Sequence, residues 1–226
     1  MFLIVRQERL DDAKRARLVE AAMEEFAERG VGSASYNKII ERSGLSKGTV
    51  YYYFDNKDSL LLTVLDEICD MFLRTIGDLK LPETKEKFWE TIREYHSRAI
   101  HFFFENPRVW RVLFWISKDV PHGEQLEYYQ CKVISFMGDL IVRGQEIGAV
   151  RDDISPDIAK HLVHALGKVL MDGMLENNET GCKPDERRLP QNEENQFKIE
   201  NILSVMHDLN KRILTPKEDL ACFTRF

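Results

Sequence analysis

The chain has 226 residues, of which 43% are hydrophobic and 31% charged, a size and balance that suit a soluble protein of one small and one medium domain. No apolar run reaches the length of a transmembrane helix, and the apolar start Met1–Val5 is broken at once by Arg6, Glu8 and Arg9, so neither a membrane span nor a signal peptide is expected and a cytoplasmic location follows. The net charge of −6 argues against a wholly basic polyanion binder, but residues 1–57 carry ten Lys/Arg against nine Asp/Glu while the rest carries −7, and DNA binding needs only a local basic face.

The hydrophobic spacing predicts helix after helix and almost no strand. From about Asp11 to Arg29, Val19, Ala22, Met23 and Phe26 recur as one buried stripe, and Gly30 and Gly32 stop that helix. Ser35 is placed to cap a second helix running to about Ser43, with Ile39 and Ile40 as its core contacts. Gly44 can supply the positive φ of a tight turn, and Ser46 can cap a short third helix from Lys47 to Phe54. Asp55-Asn56 forms the next break. A long helix then runs from Lys57 to about Leu79, with Leu60, Leu61, Val64, Leu65, Ile68, Phe72 and Ile76 on its buried side, and Pro82 ends it. Further helices are predicted near 83–104, 107–118, 123–147, 155–176 and 196–213, with Pro107, Pro121 and Pro156 near helix starts. Residues 176–195 read as a polar loop, and the tail from Pro216 carries no signal.

The segment from Ser35 to Phe54 has the build of a helix-turn-helix. Ser46, Lys47, Thr49, Tyr51, Tyr52, Tyr53 and Lys57 fall within twelve residues. A core helix would not crowd so many hydroxyls and amines without buried partners, whereas a helix lying in a major groove uses them on phosphates and base edges. Individually each residue has a plainer reading: Tyr51 as a core aromatic, Lys47 as a solvated charge, Asn37 as a helix-end residue.

Gly44-Leu45-Ser46-Lys47-Gly48-Thr49-Val50-Tyr51-Tyr52-Tyr53-Phe54, followed by Asn56-Lys57-Asp58-Ser59-Leu60, resembles the DNA-binding signature of TetR/AcrR-family regulators over roughly residues 11–65. The resemblance implies an all-α fold: a DNA-binding domain at residues 1–57 and a larger helical ligand-binding and dimerisation domain at 58–226. It implies that Ser35, Thr49, Tyr52, Tyr53 and Lys57 meet phosphates, that Asn37, Lys47, Gly48 and Tyr51 approach bases, and that Phe54 packs inside. Ser46 joins this DNA-binding set as the cap that opens the helix. Serine stands at 35 where threonine is more usual, and Ile40-Glu41 stands where alanine often follows isoleucine.

A short recognition helix reads few base pairs, so a homodimer on a palindromic operator is expected, with the two helices roughly 34 Å apart. Two apolar stripes could pair or could face the chain's own core: Ile158, Leu162, Ala165, Leu166, Val169, Leu170 and Gly173, and Ile199, Ile202, Leu203, Met206, Leu209 and Ile213. The resemblance implies that the last two long helices form the dimer interface. The aromatic middle of the chain is either a packed core or the wall of a pocket for a small apolar or aromatic effector, with Phe72, Trp89, Tyr95, Phe103, Trp110, Phe114, Tyr128 and Phe136 as candidate lining. Such an effector would shift the helix that starts at Lys57.

His161 and His164 share a helical face without a third ligand, and Cys69, Cys131, Cys182 and Cys222 form no CxxC pair, so no metal, cofactor or disulfide framework is expected. The chain lacks a Gly-rich phosphate loop, GxSxG elbow and HExxH motif, and no catalytic residue is assigned. The function expected is a ligand-responsive repressor. The competing reading is a helical ligand- or partner-binding module without sequence-specific DNA binding.

Overall fold

A computed structural model describes residues 11–77, 79–119, 124–176 and 193–219. Among the described residues the secondary structure is helical: α1 (Asp12–Arg29), α2 (Tyr36–Ser43), α3 (Lys47–Tyr53), α4 (Lys57–Ile76), α5 (Lys85–Glu105), α6 (Pro107–Asp119), α7 (Glu124–Glu146), α8 (Pro156–Glu176) and α9 (Glu193–Leu214). No described helix is long and apolar enough to cross a membrane. The all-helical reading of the sequence holds. Each expected helix is present with ends moved by a few residues, and α9 begins at Glu193, inside the stretch expected to be loop. The rest of that stretch, the end of the tail, Cys182 and Cys222 lie outside the described residues, and of Cys131 and Gly173 only the helical backbone is described.

The helix ends follow from local hydrogen bonding. The Asp11 carboxylate accepts from the Ala13 N–H, 3.1 Å away, to open α1, and Gly30 at φ 79° closes it with its N–H on the Phe26 carbonyl. Asn56 opens α4: its Oδ1 accepts from the backbone of Asp58 (3.0 Å) and Ser59 (2.9 Å). The hydroxyls of Thr84 and Ser155 accept from the N–H groups of Lys87 and Ile158 in the same manner at the starts of α5 and α8.

The chain divides into two compact units. The first is Met1–Phe72 with Glu105–Gln130, so it takes in the 1–57 segment, most of α4, and α6. Its core is Leu18, Ala22 and Phe26 of α1, Ile39 and Ile40 of α2, Val50, Phe54, and Leu60, Val64 and Ile68 of α4. Each such large apolar side chain contributes about 1.5–3 kcal/mol by leaving water. The α6 helix packs along α1, and an ion pair joins Arg108 to Glu20 at its rim.

The second unit is Leu73–Phe104 with Cys131–Phe226. Phe88, Ile92, Ile100, Met137, Leu140, Ile141 and Leu214 are fully buried in it. The α5 and α7 helices approach closely: a Cβ on Gly144 would stand 2.5 Å from Cε2 of Phe88 and 2.6 Å from Cγ2 of Val150. The loop after α7 is tied to the end of α9 by the Arg151 N–H on the Leu214 carbonyl at 2.7 Å. The two stripes on α8 and α9 meet different fates. On α9, Ile199, Leu203 and Met206 are buried, whereas on α8 Ile158, Leu162 and Val169 stay 43–67% exposed.

His96 of α5 is buried in this unit, and burial pushes its imidazole down to about 4 from the ordinary 6.5, with His207 adding to the shift. The folded-state value is the lower one, so the imidazole is neutral in both states above pH 6.5. As pH falls from 6.5 towards 4 the unfolded chain takes up a proton that the folded chain refuses, and stability is lost. Lowering the pH from 7.5 to 5 is expected to remove about 2 kcal/mol through this group. Urea titrations of the wild type and of His96→Phe at both pH values measure it: the variant should be the less acid-sensitive, and equal acid sensitivity would refute the assignment.

Candidate nucleic-acid interface

The first unit presents α2 and α3 around the turn at Gly44. Ser35 caps α2, its hydroxyl accepting from the Lys38 N–H at 3.5 Å. Its own N–H donates to Oε1 of Glu25 at 3.1 Å. Glu25 is a carboxylate on the buried face of α1, only 1% exposed. Its Oε2 lies 3.5 Å from Nη1 of Arg42 on α2, and Arg42 also reaches Glu28 at 2.8 Å and Glu24 at 3.8 Å. The hydrogen bond to Glu28 is the leading cause that raises the Arg42 pKa above its ordinary value. A buried carboxylate is tolerated only with such partners, and here they fix the approach of α2 to α1.

At the turn, the buried Ser43 hydroxyl donates to the Ile40 carbonyl at 2.8 Å and accepts from the Leu45 N–H at 3.3 Å. Gly44 adopts the left-handed conformation, φ 65°, ψ 17°, that the sequence anticipated. Ser46 then caps α3, accepting from the Thr49 N–H at 3.1 Å, and the two hydroxyls stand 2.8 Å apart.

Of the residues of α3, only Val50 is buried, joined beneath by Phe54 at the helix end. Lys47 and Gly48 face solvent, Tyr51 and Tyr52 are 46% and 56% exposed, and Thr49 and Tyr53 are half-buried. Tyr51 is therefore not a core aromatic. It meets the ring of Tyr36 edge to face at 5.4 Å, and Tyr52 meets Tyr53 likewise at 4.9 Å. Tyr36, which the sequence reading did not single out, donates from its hydroxyl to the Phe54 carbonyl at 2.7 Å and so fastens the end of α3 to the start of α2. Burial, with Tyr51 and Asp55 adding, pushes its phenol up to about 12, so it remains a donor at neutral pH. Asn37 and Lys38 stand exposed in the first turn of α2.

Gly48 differs from the other residues of this face. A Cβ built there meets nothing within 4 Å, so no neighbour among the described residues requires the missing side chain.

Lys57 has a partner set that the sequence reading missed. Its ammonium donates to the carbonyls of Val31 and Gly32, both at 2.7 Å, and lies 3.4 Å from that of Ala34. The three N–H groups of a lysine are thereby directed at the loop between α1 and α2. This fastens the start of α4 to that loop.

The aromatic candidates fall into both units. Phe72, Trp110 and Phe114 belong to the first; Trp89, Tyr95, Phe103 and Phe136 belong to the second. Tyr128 is on α7, and its side chain lies outside what is described. In the second unit Tyr95 stacks on Phe136 with ring centres 5.9 Å apart, and Trp89 meets His207 edge to face at 6.1 Å. Phe103 stands against Phe102. His161 uses its Nδ1 on the Asp157 carbonyl one turn back, at 2.6 Å.

Comparison with known proteins adds a third line of observation. The model for bacterial regulatory proteins of the tetR family matches residues 18–64, the stretch from α1 into α4. The HTH-type transcriptional repressor SCO4008 of Streptomyces coelicolor is 31% identical over 160 residues, covering 67% of this chain and 76% of that protein. The HTH-type transcriptional activator FasR of Mycolicibacterium smegmatis is 35% identical over 107 residues, 43% of this chain and 48% of its own length. The solved structure of the transcriptional regulator FadR from Bacillus subtilis, in complex with stearoyl-CoA, superposes with a TM-score of 0.71 over 88% of this chain and 98% of that one, at 14% identity, and shares the fold. With its helix-turn-helix built as described and these likenesses in sequence and fold, the chain belongs to the TetR family of transcriptional regulators.

Proposed function

We propose that the protein is a homodimeric repressor that binds a palindromic operator through α3 and is released by a small apolar or aromatic effector. The observation that carries this reading is Gly48. A glycine inside a helix is about 0.5–1 kcal/mol less favourable than alanine. Nothing among the described residues requires the gap, and a surface outside the chain that must approach the backbone of α3 closely would account for it. Lys47, Tyr51 and Tyr52 stand exposed on the same short helix, and Asn37 stands exposed on α2. In this reading Asn37, Lys47, Gly48 and Tyr51 approach base edges, while Ser35, Thr49, Tyr52 and Tyr53 meet phosphates, with Ser46 holding the start of the helix. Lys57 acts by position, holding the α1–α2 loop rather than a phosphate, since its donors are already directed at carbonyls.

The exposed stripe on α8 supports the dimer. Ile158, Leu162, Ala165 and Val169 repeat along one helical face and remain open to solvent, and a second copy is the partner that would cover them. Two heads then address successive turns of one duplex. A repressor is favoured by the printed role of the Streptomyces relative, and an effector by the acyl-CoA in the Bacillus structure. The aromatic residues of the second unit, Trp89, Tyr95, Phe103 and Phe136, are the proposed lining there, and Phe72, Trp110 and Phe114 are carried with the first. Such a regulator works in the cytoplasm.

Selection of duplexes from a random pool, followed by binding measurements on the selected site, tests the reading. Gly48→Ala is expected to leave the fold as stable as before, or more stable by up to about 1 kcal/mol, yet to weaken binding at least tenfold. A variant that binds as well as the wild type would remove the main support. Lys57→Met should lower the thermal midpoint while leaving the slope of log affinity against log salt unchanged; a phosphate contact would instead reduce that slope by about 0.9 per contact. Val169→Asp, at the centre of the α8 stripe, should give a monomer by analytical ultracentrifugation and lose the selected site. A dimer that persists would place the interface elsewhere.

A further inference from the structure

Buried polar atoms without partners are few in a folded protein, and each calls for an explanation. The second unit holds four: Nδ1 of His96 on α5, and Nδ1 of His207 and both Oδ1 and Nδ2 of Asn210 on α9. Asn210 is 1% exposed and His96 5%. His207 and Asn210 are three residues apart and so share a face of α9, and His207 is close enough to His96 to add to the burial that lowers its protonation. Trp89 flanks the group edge-on to His207, with the Lys211 ammonium 5.6 Å from the centre of its ring.

We propose that these three side chains hold the polar head of the effector, and that this head is an amide on an apolar, aromatic-compatible body. The chemistry of the four atoms selects the head. Asn210 offers a donor atom, Nδ2, and an acceptor atom, Oδ1, and a neutral imidazole nitrogen takes either role. A carboxylate only accepts, and would leave Asn210 Oδ1 without a donor. An ammonium only donates, and would sit in the field of Lys211 and Arg93, the two cations that act on His207. An amide presents a carbonyl oxygen beside an N–H and matches the set. Trp89 supplies the apolar wall for the body attached to it. The site rests on the reading of the protein as effector-responsive, and it names what the effector must carry.

Three probes with one ring and different heads test the idea: phenylacetamide, phenylacetate and ethylbenzene, each at millimolar concentration, with the full-length chain followed by differential scanning fluorimetry. The amide is expected to raise the melting temperature of the wild type by a few degrees and the other two by less. Asn210→Leu should melt higher than the wild type without probe, because two buried polar atoms are gone, and should lose the excess shift of the amide over ethylbenzene. Should that substitution fail to fold, His207→Leu serves for the same loss of excess. An amide no better than ethylbenzene on the wild type overturns the proposal, and so does an excess that survives in the folded variant. Retardation of the selected duplex without probe reports separately on DNA binding: if it persists while the amide shows no excess, the head-group assignment fails and the operator reading stands.

Discussion

One buried carboxylate holds the helix-turn-helix of the first unit in register. Glu25 is on the inward face of α1, where burial alone would make it a liability. Its two oxygens serve the two ends of α2: one receives the N–H of Ser35 that opens the helix, and the other faces the Arg42 guanidinium in its last turn. The angle between α1 and α2 is thus set by polar contacts with defined directions, on top of the directionless packing of Phe26, Ile39 and Ile40. Because the turn at Gly44 fixes α3 relative to α2, the placement of the whole helix-turn-helix traces back to this one side chain.

The same economy explains how α3 can present so much of itself to solvent. It is seven residues long and anchors through Val50 and the following Phe54, with the Ser46 cap at one end and the Tyr36 hydroxyl on the Phe54 carbonyl at the other. Both ends are held by hydrogen bonds, so few side chains are needed for burial. Lys57 and Asn56 continue the pattern into α4, one fastening the preceding loop and the other opening the helix.

Most of this scaffold was legible in the sequence. The stripe of Val19, Ala22, Met23 and Phe26 is buried, Ser35 and Ser46 are caps, and Gly30 and Gly44 take positive φ. What stayed hidden was the burial of polar residues standing at apolar positions of the helical repeat. Leu18, Ala22, Glu25 and Phe26 share one face of α1; Phe88, Ile92, His96 and Ile100 share one face of α5; Leu203, Met206, Asn210 and Leu214 share one face of α9. Periodicity read only from apolar residues passes over the exceptions, although an exception at such a position announces a buried partner or a ligand. The partners of Lys57 are 23 to 26 residues away and leave no local trace. The aromatic residues, which run together in sequence, are divided between the two units, and spacing along the chain cannot report that division.

That α3 contributes just Val50 to the interior has a bearing on how such a surface diversifies. Lys47, Tyr51 and Tyr52, with Asn37 on the neighbouring helix, project outward from a frame whose folding does not depend on them. Exchanging them costs the scaffold little, since surface changes away from caps and buried groups leave stability nearly untouched. Descendants of one ancestral chain can therefore drift to new targets while Glu25, Tyr36 and Lys57 keep the geometry in place.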